Sequence, residues 1–205
     1  TSSTLGFSTH AVIIAHHVNR LALRIAKFRG CRILHRIDED IEPGNGLTAK
    51  HRRICHINHS ADVTVFQSQF VKETLHPHLK AKNWSIIING ADPEVFEFSP
   101  QGGPYVGHIT NSVGKKKRLD LLEKAIREYP SEQFLLVGNH HKSEIDFTRY
   151  KNVSSVGPVS KRELAEQHRK MKCLFFPSQR DPCPNTVVEA ILSGIPVCYN
   201  NEGGT

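Results

Sequence analysis

Short apolar runs alternate with longer amphipathic stretches along most of this chain. The runs that predict strands lie at residues 11–15, 32–37, 63–66, 85–88, 105–109, 134–138, 153–157, 173–176 and 195–199. Apolar residues at helical spacing are found between these runs, at 18–28, 119–129 and 161–171 among others. This alternating order of strands and helices is typical of parallel sheets flanked by helices. The pattern therefore predicts an α/β fold.

The stretch 119–129 shows the helical spacing clearly. The apolar residues that would share one face of that helix are Leu121, Leu122, Ala125, Ile126 and Tyr129. We expect this face to pack against a sheet.

A break in the pattern falls at residues 89–104. It carries three prolines and three glycines, which interrupt regular structure. We therefore expect residues 1–90 to be the C-terminal part of one Rossmann-like domain, 91–104 to be an interdomain junction, and 105–205 to be most of a second domain. Neither end of the chain completes a recognisable element, so we expect it to be the middle part of a longer protein.

Composition narrows the classes of protein. Hydrophobic residues make up 38% of the chain, enough for a packed core, and no apolar run approaches the roughly 20 residues of a membrane-spanning helix. The first residues lack the basic segment and the cleavage pattern of a signal peptide. Five cysteines, without a C-x-x-C pair, favour a reducing compartment over a disulfide framework. We therefore expect a cytoplasmic protein, either free or associated with a membrane.

The net charge of +7 suits a nucleic acid, an anionic membrane surface or a phosphorylated small molecule. Binding of single-stranded nucleic acid would need basic residues interleaved with aromatic residues on one face. The basic residues here are scattered and aromatic residues make up 7% of the chain. We therefore expect no nucleic-acid partner, while a peripheral membrane contact stays open.

Thirteen histidines raise the question of a metal site. His56 and His59 follow Cys55 on a predicted helix, but no third and fourth ligands stand at the spacing of a structural zinc site. We therefore expect no bound metal.

Residues 181–197, with the sequence DPCPNTVVEAILSGIPV, contain the strongest candidate for chemistry. Asp181 and Glu189 stand on either side of a predicted helix start at Asn185 or Thr186, just after a predicted strand. A helix start at the carboxyl edge of a parallel sheet offers free N–H groups and a partial positive charge. Two interpretations stay open here. Glu189 fits a capping box with Thr186, and the two acids also fit a pocket for an anionic, hydroxyl-rich ligand.

This stretch and several others, in the same order, resemble the motifs of the family-4, group-1 glycosyltransferases. The motifs are DVTVFQSQFVKETL, IINGADPEVF, KRLDLLEKA, FLLVG, NVSSVGPVSKREL and PSQRDPCPNTVVEAILSGIPVCYNNEGG. The resemblance covers residues 60–205 well and 11–60 more weakly. It implies the B-type glycosyltransferase fold, which has two Rossmann-like domains, and a nucleotide-sugar donor bound to the second domain.

The resemblance also implies roles for individual residues. Glu189 would bind the ribose hydroxyls and Asp181 would face the donor sugar, since one carboxylate accepts hydrogen bonds from two hydroxyls. Lys117 would bind the phosphates and stabilise the departing diphosphate, so that neither a metal nor another cofactor is required. These three residues form the implied catalytic set. The other implied donor contacts are the backbone N–H groups of Asn185, Thr186 and Val187, together with His108 and Val159.

The acceptor side is implied less completely. RILHRIDEDIEPGNG, at 32–46, resembles a subgroup whose strand ends in HRIDG. Arg36 and Asp38 would lie on one side of that strand and His35 on the other. His16, at the end of an earlier strand, either lines the acceptor cleft or lies on the surface. The glycine-rich loop that opens the family's first domain is not in this chain.

Three positions depart from the family pattern. Asp181 stands where the family usually has Glu, His108 where it often has Arg, and Arg118 where it usually has Gly. In addition, the basic run 115–118 fits a solvent-exposed helix start, which would leave Lys117 without a ligand.

We therefore expect a transferase that moves a sugar from a nucleotide-diphosphate sugar to an acceptor hydroxyl with retention of configuration. The alternative is a catalytically weak nucleotide-sugar-binding module or subunit, which the changes at Asp181 and His108 favour. The acceptor could be a glycan, a lipid or a small molecule, and the sequence predicts no oligomeric state.

Overall fold

The computed structural model describes residues 10–15, 18–42, 44, 46–99 and 102–204. The chain divides into two compact units, one up to Ile88 and one from Asn89 to Gly203. The segment 91–104, predicted as a junction, belongs to the second unit, where Phe96 is buried in the core.

The first unit is a four-stranded parallel sheet with helices between its strands. The strands are β1 (Ala11–Ile14), β2 (Arg32–Ile37), β3 (Val63–Phe66) and β4 (Trp84–Ile86), in the order β1-β2-β3-β4. The helices are α1 (Arg20–Phe28), α2 (Ala49–Asn58) and α3 (Gln69–Leu79).

The helices of the first unit begin where the sequence offers a capping side chain. The side-chain oxygens of Asn19, Thr48 and Ser68 accept hydrogen bonds from backbone N–H groups in the first turns of α1, α2 and α3. Each cap satisfies a donor that the helix itself leaves unpaired. Short polar residues therefore set the starts of all three helices.

The second unit is a five-stranded parallel sheet. Its strands are β5 (Tyr105–Thr110), β6 (Gln133–Gly138), β7 (Val153–Val156), β8 (Met171–Phe176) and β9 (Val197–Tyr199), in the order β7-β6-β5-β8-β9. The helices are α4 (Leu119–Glu128), α5 (Lys161–His168) and α6 (Asn185–Leu192), with short 3-10 turns at Lys115–Lys117, His140–Lys142 and Phe147–Arg149.

Strand β6 shows why both faces of this sheet are covered. Phe134 and Leu136 pack with Leu122 of α4, whereas Leu135 lies in the other core cluster, with Val187 of α6. Successive side chains of a strand point to opposite faces, so a continuous apolar run needs a helix on each side. The predicted parallel sheets flanked by helices are confirmed.

Three details differ from the sequence prediction. Tyr129 follows α4 and is exposed, because the helix ends before its side chain reaches the sheet. The third predicted helix ends at His168, and Met171 already belongs to β8. Ile87 and Ile88, predicted as strand, lie beyond β4 and are exposed.

No helix in residues 10–15, 18–42, 44, 46–99 and 102–204 combines the length and the apolar character that crossing a membrane requires.

Several histidines are buried in the cores of the two units. Burial lowers the pKa values of His35, His140 and His168 from 6.5 to about 4, because the protonated ring would lose its hydration. Nδ1 of His35 accepts a hydrogen bond from the Asn58 amide at 3.1 Å, so protonation of that nitrogen would also break this contact. These histidines are neutral in the folded chain at neutral pH.

We predict that the free energy of unfolding already decreases at pH values above those at which carboxylates titrate. Between pH 6.5 and 4 the unfolded state binds protons that the folded histidines do not, so stability is full above pH 6.5 and falls as the pH falls. Each such histidine should cost about 2 kcal/mol between roughly pH 7 and pH 5. The measurement is the free energy of unfolding in denaturant at both values.

The variant His35→Gln separates this effect from a general sensitivity to acid. It removes one titrating group, so its loss of stability between the two pH values should be smaller than that of the native chain by about 2 kcal/mol. Equal losses in both chains would contradict the prediction.

Candidate functional site

The candidate site lies at the carboxyl edge of the second sheet. β5 and β8 are parallel neighbours in this sheet, so the segments that follow them emerge at the same edge. The first of these segments is the 3-10 turn Lys115–Lys117, and the second is the loop 177–184, which leads into α6. Open parallel sheets bind their ligands at this edge.

Backbone hydrogen bonds tie the loop 177–184 to its surroundings. Gln179 N–H donates to the carbonyl of Lys116 at 2.8 Å, and Arg180 N–H donates to the carbonyl of Glu202. Asp181 pairs with Gly203 in an isolated parallel bridge. The loop is therefore held on both sides before any side chain contributes.

Lys117 and Asp181 meet across this edge. Lys117 Nζ lies 3.0 Å from Asp181 Oδ2, and the two side chains are 26% and 19% exposed. The lysine also lies 5.7 Å from the centre of the Phe176 ring. Partial burial weakens screening by water, so this pair interacts more strongly than one on the open surface. Lys117 is therefore not the solvated end of a basic run.

Glu189 does not serve as a cap. Helix α6 begins at Asn185, its N-cap is Pro184, and no side chain caps it. Thr186 thus lies inside the helix, two residues too late for a capping box with Glu189, and that interpretation is wrong. The carboxylate is 6% exposed and forms an ion pair with Lys161 from the start of α5.

The start of α6 offers two free N–H groups, where the sequence predicted three donors. Val187 N–H donates to the carbonyl of Pro184 at 3.1 Å, in the same way as Val188. Within the described part of the chain, the backbone N–H groups of Asn185 and Thr186 have no partner. An anion at this helix start would therefore meet Asn185 and Thr186, together with the positive end of the helix dipole.

His108 lies in the interior of the unit. Its side chain is 1% exposed, and its Nδ1 is 2.7 Å from Nε2 of His140. Burial, followed by the nearby His140 and Lys117, lowers the pKa of His108 well below its usual range. His108 is thus neutral and covered, and it places no positive charge at the sheet edge.

A pocket of about 450 Å³ opens beside this edge, at the ends of β6 and β7. It is lined by Gly138, His140, Phe147, Val156 and Gly157, among others. Val159, an implied donor contact, lies three residues after β7 and packs in part against the core.

The implied acceptor-side residues lie in the first unit. Arg36 and Asp38 line a pocket of about 230 Å³ together with Lys50. His35 points into the core on the other side of the strand, where the Asn58 amide donates to it. His16 lies outside the described residues.

Lys161 is the site residue that sequence reasoning missed. It occupies the first position of α5, where its positive charge opposes the helix dipole. The partner of this lysine is the buried carboxylate of Glu189. Its Nζ also lies 5.7 Å from the centre of the Phe96 ring. A lysine at the start of a predicted helix is the sequence feature that could have indicated this ion pair.

The backbone conformation at Arg118 explains why the family usually has glycine at this position. Its backbone has φ +49° and ψ +48°, in the left-handed region that side chains disfavour. The guanidinium donates twice to Asp120, at 2.9 and 2.8 Å. Glycine would be less strained at this position, and the arginine found there forms a local ion pair with Asp120.

The described residues contain no group of three or more His, Cys, Asp or Glu side chains placed to hold a metal ion. The charged side chains of the candidate site include Lys117, Asp181, Lys161 and Glu189.

Comparison with protein families identifies a match over the second half of the chain. A family model described as "Glycosyl transferases group 1" matches residues 103–205. Among curated proteins, the chain is similar to sulfoquinovosyl transferase SQD2 of Arabidopsis thaliana. The two are 24% identical over 135 residues, which is 64% of this chain and 24% of that protein.

Solved structures extend the likeness to most of the chain. Sucrose-phosphate synthase (tll1590) from Thermosynechococcus elongatus aligns with a TM-score of 0.75 and 18% identity, over 95% of this chain and 57% of that one. Anabaena Alr3699/HepE, in complex with UDP and glucose, aligns with a TM-score of 0.71 and 17% identity, over 94% and 60%. These matches confirm the predicted B-type glycosyltransferase fold. The chain spans about three fifths of the length of these structures and a quarter of the curated relative.

The ion pair between Lys161 and Glu189 leads to an asymmetric prediction. Lys161→Met leaves a buried carboxylate without its partner, which should cost about 1–3 kcal/mol of stability. Glu189→Gln leaves only the lysine unpaired, which is 62% exposed and stays hydrated, so the loss should be smaller. The measurement is the free energy of unfolding of both variants. An equal or larger loss in Glu189→Gln would contradict this account of the pair.

Proposed function

Since the chain belongs to the group 1 glycosyl transferases, we propose that it forms part of an enzyme that moves a sugar from a nucleotide-diphosphate sugar to an acceptor hydroxyl. One observation carries this proposal. Lys117 and Asp181 lie 3.0 Å apart at the carboxyl edge of the second sheet, and Asp181 is on the loop that leads to the uncapped start of α6. A cation, a carboxylate and free N–H groups at one edge suit a ligand with phosphates and hydroxyls.

The phosphates would bind to Lys117 and to the N–H groups of Asn185 and Thr186. The lysine supplies a full charge, while the N–H groups and the helix dipole supply a partial one. As the bond between sugar and diphosphate breaks, negative charge builds up on the diphosphate, and these groups stabilise it. We propose that they do so without a bound metal.

The hydroxyls would bind to the two carboxylates. Asp181 would accept hydrogen bonds from the donor sugar once its lysine has turned to the phosphates. Glu189 would accept them from the ribose, and Lys161 keeps its carboxylate in place. A carboxylate has room for both a lysine and a hydroxyl, because each of its oxygens accepts more than one hydrogen bond.

The proposed transfer retains the configuration of the sugar. No protein nucleophile is needed if the departing diphosphate takes the proton of the acceptor hydroxyl while the acceptor attacks from the same side. Arg36 and Asp38 of the first unit are the residues proposed for the acceptor side. Solved complexes of Alr3699/HepE hold UDP, glucose and UDP-glucose, so UDP and UDP-glucose are the first ligands to test here.

A catalytically weak nucleotide-sugar-binding subunit is the second candidate. The buried, neutral His108 favours it, since this residue adds no fixed charge to stabilise a diphosphate. Measured turnover beside measured binding separates the two candidates, because the subunit would bind the donor and transfer nothing.

We predict that Lys117 and Lys115 differ sharply in their effect on UDP. Lys115 is exposed in the same 3-10 turn and serves as the control. Lys117→Ala should weaken UDP binding by about tenfold or more, since it removes a charge-assisted contact, whereas Lys115→Ala should change it little. Calorimetric titration of UDP measures both. Equal effects would return the basic run to the role of a solvated surface.

We predict that substitutions of Glu189 and Asp181 affect the affinities for UDP and UDP-glucose differently. Glu189→Gln should weaken UDP and UDP-glucose alike, by about tenfold, because both ligands carry the ribose. Asp181→Asn should spare UDP and weaken UDP-glucose, because only the latter brings a sugar. Titration of both ligands into both variants measures this. If Glu189→Gln binds UDP as the native chain does, the ribose assignment is wrong.

A further inference from the structure

The last three residues of the loop before α6 have few backbone donors, although the residues before them are held by backbone hydrogen bonds. In the stretch Pro182–Cys183–Pro184 only the cysteine has a backbone N–H, since proline has none. The shape of this stretch therefore depends on what its acceptors, the carbonyls and the thiol, bind to. Asp181 precedes this stretch, and Asn185, with its free backbone N–H group, follows it.

Asn89 supplies two donors to the middle of this stretch. Its side-chain Nδ2 donates to the carbonyl of Cys183 at 2.7 Å, and its backbone N–H donates to Cys183 Sγ at 3.3 Å. Cys183 is 8% exposed, so water offers little replacement for either contact. One asparagine thus satisfies both the backbone carbonyl and the thiol of the same buried residue.

We propose that Asn89 is a positioning residue of the donor site. By holding Cys183, it sets the distance between Asp181, which faces the sugar, and the start of α6 at Asn185, which faces the diphosphate. The inference rests on the proposed function, since it assigns to Asn89 the geometry of that site.

The chemistry of the side chain is specific. An aspartate has the same shape but no N–H, so its carboxylate would face the carbonyl oxygen of Cys183 and repel it. An alanine leaves the carbonyl unpaired without repulsion. Asn89→Ala is therefore the milder variant, and it keeps the test valid if Asn89→Asp folds poorly.

Asn152 provides the matched control. It lies in the same unit and is partly buried like Asn89. Its Nδ2 also donates to backbone carbonyls, those of Ile126 and Glu132, both at 3.2 Å. This amide holds the turn between α4 and β6, on no element of the candidate site. Asn152→Asp should lower the melting temperature and leave ligand binding unchanged.

The first measurement is calorimetric titration of UDP and UDP-glucose into the native chain and the three variants. Asn89→Ala should weaken UDP-glucose by about tenfold, and Asn89→Asp by more, while Asn152→Asp should stay within about twofold of the native chain. If both Asn89 variants fold and bind as the control does, the inference is overturned. If the native chain binds neither ligand, the proposed function is wrong, and Asn89 has no site to position.

The second measurement reports on the loop itself. Alkylation of Cys183, followed by peptide mass analysis, should be slow in the native chain and in Asn152→Asp, and several-fold faster in both Asn89 variants. Bound UDP-glucose should slow it again, because a ligand that spans Asp181 and Asn185 closes the loop. A merely structural loss of stability in the second unit would speed alkylation of Cys173, a partly buried thiol in β8, to the same extent, and that result would count against the inference.

Discussion

The pairing of β5 with β8 brings together segments that are far apart in the sequence. Both strands run in the same direction, so Lys117, shortly after β5, and Asp181, shortly after β8, emerge at one edge although 64 residues separate them. Most side chains of the two strands are apolar, and the polar His108 and Thr110 of β5 are buried. The chemistry is therefore confined to the residues that follow the strands.

Most of this arrangement could be predicted from the sequence. In a parallel sheet covered on both faces, strands are continuous apolar runs, and the runs at 32–37 and 63–66 coincide with β2 and β3. The start of α6 was predicted within one residue, since the two prolines cannot continue a helix. Asp181 and Lys117 were assigned to the donor through a resemblance, and their ion pair appeared only when the strands were placed side by side.

The rest could not be predicted because it depends on tertiary contacts. His108 occupies a position that the family often fills with a charged side chain. Only the structure shows that it is buried and packed against His140, which in turn packs on Phe147. The predicted capping box at Thr186 was wrong because a capping box requires Thr186 to be the N-cap residue. The helix begins two residues earlier, so Thr186 lies inside it. Tyr129 satisfies the helical spacing, yet the helix ends one residue before it. Local patterns thus predicted the elements, and errors arose at their ends.

The ion pair between Lys117 and Asp181 also bears on which anions the edge can distinguish. A free lysine would attract any phosphate, including the inorganic ion that is abundant in cells. A phosphate that bound to Lys117 would have to displace the carboxylate of Asp181. It would leave that carboxylate unsatisfied unless the same molecule also brought a hydroxyl. Inorganic phosphate could pair with the lysine but brings no sugar hydroxyl for the carboxylate. A nucleotide sugar brings both groups. On the proposed assignment, the resting pair would disfavour simple anions, because the two exchanges depend on each other.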